Sequence, residues 1–564
     1  KMVNRIFKFL NKEFKGVNEA ALLLGGFTLL SQVLGLLRDR SLAHFVGAGP
    51  VLDVYYAAFR IPDFLYISIA SLASITVLMP FLMDRINKDG SMQKAKEFLN
   101  NIFSTYAIFM ALASLIIAIL MPKIVGYIAP GFNHEQTVSL VMMSRIMLLS
   151  PIFIGLSNLL GTVTQLLKKF LVFSLSPVFY NVGIIFGIIF LFPQFGVYGL
   201  GFGVIIGAIL HFLIQAIVVY KNGFFPRFIF NIDWREIGRV VKLSAPRTLT
   251  LSCNSLAFLV LISIASTLKS GSISLFTFAY NLQSVPVGII GTSYSVAAFP
   301  MLVKSFSQKN MKEFIGQISI AARQIIFWSL PIISLLVVLR AQIVRVILGT
   351  GQFSWQDTRL TAASVALFVI SLVTQGLVLL LVRGYYAAGN TKKPFLTNVS
   401  SSILVIVLAK LFIYIFNHNP EIISQLETLL RVKDVPGTVM LALPLAYAIG
   451  SIVNFIFIWI LFKRDFLKDQ KIGIARTVKD SLLGALTMGS ISYIFLNILD
   501  NIFDLTTGWG IFMQGFFAGI IGIASGFLVL YLIKNREFFS VLRALKNKFW
   551  RKKDVLAPEQ EDLQ

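Results

Sequence analysis

Charged side chains of both signs are concentrated near the N-terminus, in a stretch that is otherwise apolar. The polar and charged positions there are Gln32, Arg38, Asp39, Arg40, Asp53, Arg60 and Asp63. An ionised side chain at the centre of a membrane helix costs about 2.5–3.5 kcal/mol, so each one needs a partner or a function. Paired carboxylates are typical of acid–base catalysis, but the neighbouring arginines favour ion pairs and the binding of an anionic ligand. We therefore predict a binding site, with no catalytic residue, metal or cofactor.

The composition indicates that lipid, not water, surrounds most of the chain. Of 564 residues, 56% are hydrophobic and 13% are charged, whereas a soluble domain carries about 25% charged residues. The single cysteine, Cys253, can form no intramolecular disulfide, and the four histidines show no metal-ligand spacing. The net charge of +24 lies at the ends of apolar runs, which indicates membrane orientation and argues against nucleic-acid binding. A soluble enzyme and a secreted disulfide module are excluded.

Fourteen stretches of the sequence are apolar enough to be membrane helices, each of which needs about 20 residues. Basic residues are in excess in segments 1–15, 221–242, 463–480 and 534–553, whereas the alternate connections are poor in them. Because basic loops stay on the cytoplasmic side, both termini are predicted to be cytoplasmic. The two ends of the chain are also amphipathic and basic, which predicts an interaction with anionic membrane lipids.

Two short sequence patterns each occur twice, six predicted helices apart, and this predicts an internal repeat. Pro62 and Pro80 bracket the second apolar stretch as Pro286 and Pro300 bracket the eighth. A Lys-Lys pair also precedes both the fifth and the eleventh stretch. An even offset gives parallel repeats, and such repeats place a substrate site between the two halves near the midplane of the membrane.

The predicted fold is an all-α integral membrane protein with two pseudo-symmetric six-helix lobes and two further C-terminal helices. The predicted parts are a basic amphipathic segment (1–17), an N-lobe (18–232), a C-lobe (233–463), the last two helices (464–534) and a basic cytoplasmic tail (535–564).

Several short motifs follow one another along the first twelve apolar stretches. They are Ser31-Gln32-Val33-Leu34-Gly35-Leu36-Leu37-Arg38-Asp39, Phe45-Val46-Gly47-Ala48-Gly49, Ala58-Phe59-Arg60-Ile61-Pro62, Ala129-Pro130-Gly131-Phe132, Pro286-Val287-Gly288-Ile289-Ile290-Gly291, Gly351-Gln352-Phe353, Tyr385-Tyr386-Ala387 and Asn390-Thr391-Lys392-Lys393-Pro394. In this order they resemble the MurJ (MviN) flippases of the multidrug/oligosaccharidyl-lipid/polysaccharide exporter superfamily. The resemblance implies two six-helix lobes around a cationic cavity. It also implies transport of lipid II, the undecaprenyl-pyrophosphate-linked peptidoglycan precursor, to the outer leaflet of the bacterial cytoplasmic membrane.

The resemblance assigns roles to three charged residues. Arg38, Asp39 and Asp53 stand where the family has the same residue types. It implies that Arg38 contacts the pyrophosphate, and that Asp39 and Asp53 hold the cations of the cavity in place.

The sequence departs from the family at three cavity positions. Arginine is usual in the family where this chain has Gln32, Tyr66 and Asn281. We expect these neutral residues to line the cavity, which is then less cationic than in the family. Arg60, three positions before Asp63, is the first candidate for a compensating cation, and Arg247 is the second.

Other functions stay open at this point. The transporter could carry a different polyprenyl-linked glycan, or it could be a small-molecule antiporter of the same superfamily, for which a cavity dominated by carboxylates is expected. A third hypothesis is a membrane scaffold that recruits cell-wall synthesis proteins through its basic tail. The charged residues of the first helices argue against a scaffold, because it has no need of such costly groups.

Overall fold

The computed structural model describes residues 17–70, 78–79, 81–85, 92–467 and 472–550. Within these ranges the regular secondary structure is helical, which confirms the predicted all-α class. The predicted N-terminal amphipathic segment lies outside the described residues apart from its last position. Pro80 and residues 551–564 of the basic tail also lie outside the described residues.

Short connections join the helices in chain order. The first half contains α1 (Val17–Phe45), α2 (Pro50–Ala70), α3 (Met92–Ile128), α4 (His134–Met147), α5 (Ser150–Leu166), α6 (Phe170–Phe186) and α7 (Val197–Lys221). The second half contains α8 (Trp234–Ser266), α9 (Ser272–Pro286), α10 (Ser293–Ser307), α11 (Met311–Val338), α12 (Arg340–Ile347), α13 (Trp355–Val369), α14 (Leu372–Ala387), α15 (Lys392–His418), α16 (Pro420–Leu430) and α17 (Ala442–Phe462). The chain ends with α18 (Ala475–Leu499), α19 (Gly508–Leu532) and α20 (Arg536–Trp550).

Ten helical segments of the described chain are long and apolar enough to cross a membrane, and α13 with α14, bent by 46°, gives an eleventh. Within the described residues, the predicted stretches overlap one helix or consecutive helices. The described parts of α1, α2 and α8 are not among these segments. The total of fourteen crossings therefore stays a prediction.

One apolar cluster is shared by both halves of the protein, and smaller clusters lie within each half. Near the end of α1, one buried cluster joins Tyr55 of the first half with Phe276 and Phe368 of the second half. Near the opposite end, Phe98 of the first half and Val240 of the second half belong to the same cluster. The two halves are thus closed against each other where α1 ends.

Close helix packing sets the position of the helices that carry the charged residues. α1 packs against α6, α2 packs against α4 and α8, and α9 packs against α2. α6 in turn lies directly on α7, since a Cβ atom on Gly183 would lie 2.3 Å from the Cα of Gly207. Glycine at these positions lets the two backbones approach, so α6 lies tightly between α7 and α1.

Candidate functional site

A cavity of about 380 Å³ lies between α1 and α6. Its lining residues are Phe27, Thr28, Ser31, Gln32, Gly35, Arg38, Phe173, Ser174, Pro177 and Asn181. Hydroxyl and amide groups from both helices face the same space, and Arg38 is the charged residue among the lining set. The walls are mostly apolar, and their hydroxyl, amide and guanidinium groups can contact a hydrophilic head group.

Arg38 is held by the carboxylate of its chain neighbour. Its Nε and Nη2 atoms donate to Oδ1 of Asp39 at 3.0 and 2.8 Å, and its Nη1 lies 3.5 Å from Oδ1 of Asn181 on α6. The Arg38 side chain keeps 25% of its surface exposed, whereas that of Asp39 keeps 4%. The buried carboxylate therefore orients the guanidinium and leaves part of it open to the cavity.

Asp39 also links the two halves of the protein. Its second oxygen, Oδ2, accepts a hydrogen bond of 2.9 Å from Nδ2 of Asn281 on α9. Nearby on α1, Nε2 of Gln32 lies 3.5 Å from the position that a Cβ atom would take on Gly288. Two of the three neutral replacements, Gln32 and Asn281, thus lie where α1 meets the second half.

Arg60, Asp63 and Tyr66 form a second group along α2. Arg60 pairs with Asp63 at 3.9 Å, and its guanidinium lies 4.7 Å from the ring centre of Phe258 on α8. The side chain of Asp63 is 45% exposed. Tyr66 accepts a hydrogen bond from the amide of Asn158 on α5. The charges of Arg60 and Asp63 therefore partly offset each other.

Asp53 is placed differently from the role that the resemblance implies. Its carboxylate accepts hydrogen bonds from the backbone N–H groups of Gly271 and Ser274, at 2.6 and 2.9 Å, and from the Ser274 hydroxyl at 2.5 Å. Asp53 is 3% exposed. These bonds join the first turn of α2 to the first turn of α9, where the unpaired N–H groups of a helix favour a carboxylate.

The contacts around Asp53 belong to a seam between the halves, formed by residues 40–53 and 127–132 on one side and 263–274 and 346–353 on the other. The backbone N–H of Gln352 donates to the carbonyl of His44 at 3.1 Å. A Cβ atom on Gly131 would lie 2.1 Å from the carbonyl oxygen of Ser266. The glycine motifs around Gly47, Gly131 and Gly351 therefore serve close backbone contact across this seam.

Sequence reasoning missed several partners of the site. Asn181 contacts Arg38 and also donates to the Ser31 hydroxyl, and Ser274 binds Asp53. Asn181 could have been identified from the sequence, because it is an amide four residues after Pro177 in an apolar helix. The side chain of Arg247, in α8, lies outside the described residues.

Comparison with known proteins places the chain in a family. The family profile described as "Lipid II flippase MurJ" matches residues 42–507. A probable lipid II flippase MurJ of Buchnera aphidicola is 28% identical over 397 residues, which cover 69% of this chain and 77% of that protein. Another, from Rhizobium tropici, is 25% identical over 543 residues, which cover 93% and 96%.

A solved structure shares the fold. It is described as lipid II flippase MurJ in an inward closed conformation, and it matches with a TM-score of 0.70 and 22% identity over 93% of this chain and 99% of that one. The profile match covers most of the sequence and includes the seam from residue 42 onward and the residues on α2 and α9. The chain belongs to the MurJ lipid II flippase family.

Proposed function

We propose that this protein moves lipid II from the inner to the outer leaflet of the bacterial cytoplasmic membrane. The observation that carries the proposal is the Arg38–Asp39 pair, whose guanidinium is oriented by a buried carboxylate and partly exposed at a cavity that also carries hydroxyl and amide groups. A planar guanidinium binds two phosphate oxygens at once. Arg38 is therefore the contact for the pyrophosphate, and the hydroxyl and amide groups of the cavity face the rest of the head group.

The transport mechanism is alternating access between the N-lobe (18–232) and the C-lobe (233–463). The described state is closed at the seam, where hydrogen bonds join the two lobes, so we assign access to the opposite end of the bundle. Asp53 and Asp39 act as links between lobes, because each binds groups of α9 or of its first turn. Opening the seam requires breaking the Asp53 bonds.

Arg60 is the proposed second cation for the pyrophosphate. Its present contacts with Asp63 and Phe258 are a 3.9 Å ion pair and a ring contact, which are weak compared with a bidentate phosphate contact. The neutral residues at 32, 66 and 281 leave the ligand fewer charges, and a hydrogen bond to a charged group is worth about 1.5–3 kcal/mol. A lipid II transporter with this cavity needs Arg60 more than its relatives do.

The proposed topology places both termini in the cytoplasm, so that the seam faces outward. The charge bias of the connections supports it. A reporter that is active only outside the cytoplasm should stay silent when fused after Gln564, and activity there would contradict the topology. Anionic lipids at the basic ends and cell-wall synthesis proteins at the tail are proposed partners.

The test of the function is complementation of a strain depleted of its own lipid II flippase. The unaltered protein should restore growth, Arg38→Ala should not, and Arg38→Lys should do so only in part, because an ammonium keeps the charge but loses the fork. Arg145→Ala is the matched control, since Arg145 is exposed and donates to the Ala118 carbonyl at 2.9 Å, away from the cavity. Full growth with Arg38→Ala at equal expression would contradict the assigned role.

A binding assay separates lipid II from another lipid-linked glycan. Purified protein should bind lipid II, and Arg60→Ala should weaken both that binding and the binding of a polyprenyl-pyrophosphate without the peptide. Failure of the unaltered protein to bind lipid II would favour a different glycan. Tight binding that is indifferent to Arg60→Ala would reject Arg60 as the compensating cation.

A further inference from the structure

The connection between α7 and α8 is a strap, residues 222–233, that is fastened along α3. The backbone N–H of Arg227 donates to Asn100 at 2.7 Å, and that of Ile229 donates to the Ser104 hydroxyl at 2.8 Å. The N–H of Asp233 donates to Asn101 at 3.1 Å, and the amide of Asn101 donates back to the Asp233 carbonyl at 3.2 Å. These hydrogen bonds fix the strap to one face of α3, so the strap moves together with the N-lobe.

The strap presents large aromatic side chains away from the protein. Phe228 and Phe230 are 48% and 86% exposed, and their rings lie 5.2 Å apart on one side of the extended backbone. Trp234, the first residue of α8, is 59% exposed. We call these three residues the aromatic cluster. An exposed aromatic group of this size is unfavourable in water, so it marks a surface that contacts an apolar environment.

The position of the aromatic cluster along the axis of α3 identifies that environment as lipid. The Trp234 ring centre lies 6.1 Å from that of Phe109, which is 48% exposed on α3. Leu112 and Leu115 continue the exposed apolar surface of this membrane helix. At 1.5 Å per residue, Ser104 is about 8 Å before Phe109 along the axis. The strap therefore lies where the polar start of α3 gives way to its lipid-facing surface, which is the level at which aromatic belts occur.

Exposed arginines surround the aromatic cluster. Arg227, Arg235 and Arg239, the arginine cluster, all have exposed side chains. The two acidic residues of segment 221–242 are occupied within the protein. Asp233 caps α8 by accepting from the N–H groups of residues 235 and 236, and Glu236 pairs with Arg85. The outward surface of the strap is therefore aromatic and cationic.

We propose that the strap is a membrane-interface anchor whose partner is anionic phospholipid. The aromatic cluster enters the boundary between head groups and acyl chains, and the arginine cluster binds the phosphate groups of the same leaflet. This is the combination of side chains that interfacial segments use. The proposal does not depend on the identity of the transported lipid; the proposed topology only assigns the anchor to the inner leaflet.

The insertion is tested with a single fluorescent label on the full chain in a Cys253→Ser background. Phe230→Cys carries an environment-sensitive dye, and Gln308→Cys, an exposed residue of the connection after α10 at the same end of the bundle, is the matched control. In vesicles of phosphatidylcholine with phosphatidylglycerol, the dye at 230 should be quenched by a shallow lipid-bound quencher and protected from iodide. Iodide quenching at 230 equal to that at 308 would overturn the anchor.

The preference for anionic lipid is tested with charge variants. A basic side chain near an anionic surface contributes about fivefold to local enrichment, so each of Arg227→Gln, Arg235→Gln and Arg239→Gln should lower the enrichment of a spin-labelled phosphatidylglycerol by about that factor. Lys312→Gln, an exposed basic residue of the same end, should not. Equal enrichment of phosphatidylglycerol and phosphatidylcholine around the unaltered protein would overturn the lipid assignment. So would labels at 230 that become protected only when a soluble protein is added.

Discussion

Asp53→Asn should loosen the seam while leaving the helices intact. The Asp53 carboxylate accepts three hydrogen bonds from Gly271 and Ser274, at 2.5–2.9 Å. An asparagine has the same shape but offers one acceptor oxygen, and its NH₂ group must face a backbone N–H. At least one bond is lost, and the others no longer have a charged acceptor. Since both partners lie on the other lobe, the loss falls on the closed state alone.

The size of the effect follows from the bonds. A hydrogen bond to a charged group contributes about 1.5–3 kcal/mol, so losing one and weakening two destabilises the closed seam by about 3 kcal/mol. A difference of that size shifts a two-state equilibrium about 100-fold. A protein that is almost wholly closed at the seam then populates the open state measurably.

Pulsed electron paramagnetic resonance between two spin labels measures the shift. Glu135 and Gln356 are exposed residues on opposite lobes at the seam end of the bundle, and cysteines there in a Cys253→Ser background carry the labels. Asp53→Asn should add a longer distance to the distribution. The control is Asp357→Asn, because Asp357 caps its own helix and accepts from Ser354 in the same lobe. An unchanged distribution in well-folded Asp53→Asn protein would refute the reasoning.

Two further predictions concern packing and the C-terminal helix. Gly131→Ala should also lengthen the distance across the seam, because its Cβ would lie 2.1 Å from the Ser266 carbonyl oxygen. Gly126→Ala is the control and should have no effect, because the space around Gly126 is open. Equal distances between the spin labels in both variants would contradict this prediction. Glu537→Gln removes the 3.5 Å ion pair with Arg323 that ties α20 to α11, and it should cost about 2 kcal/mol, seen as a lower melting temperature; an unchanged melting temperature would show that the pair contributes little.

Local chemistry in the sequence was sufficient for the class of protein and for the Arg38–Asp39 pair. Apolar stretches of helical length specify membrane helices wherever they occur, and the helices of the structure coincide with them. The Arg38–Asp39 pair was visible because its members are adjacent, and the motif order identified the family. The role of Asp53 was not visible, because an acidic residue at the start of a helix reads the same whether it binds cations or caps another helix.

Only the tertiary structure decided which groups meet across the chain. Asn181 reaches Arg38 from 143 residues away, and Asn281 reaches Asp39 from 242 residues away. Hydrophobic periodicity says which face of a helix meets lipid, but it carries no information on which polar atoms will be opposite each other after packing. The same limit applies to the strap, whose aromatic residues look like ordinary core residues in the sequence. They are exposed because the polar side chains of α3 bind the strap's backbone and leave its rings on the outer side.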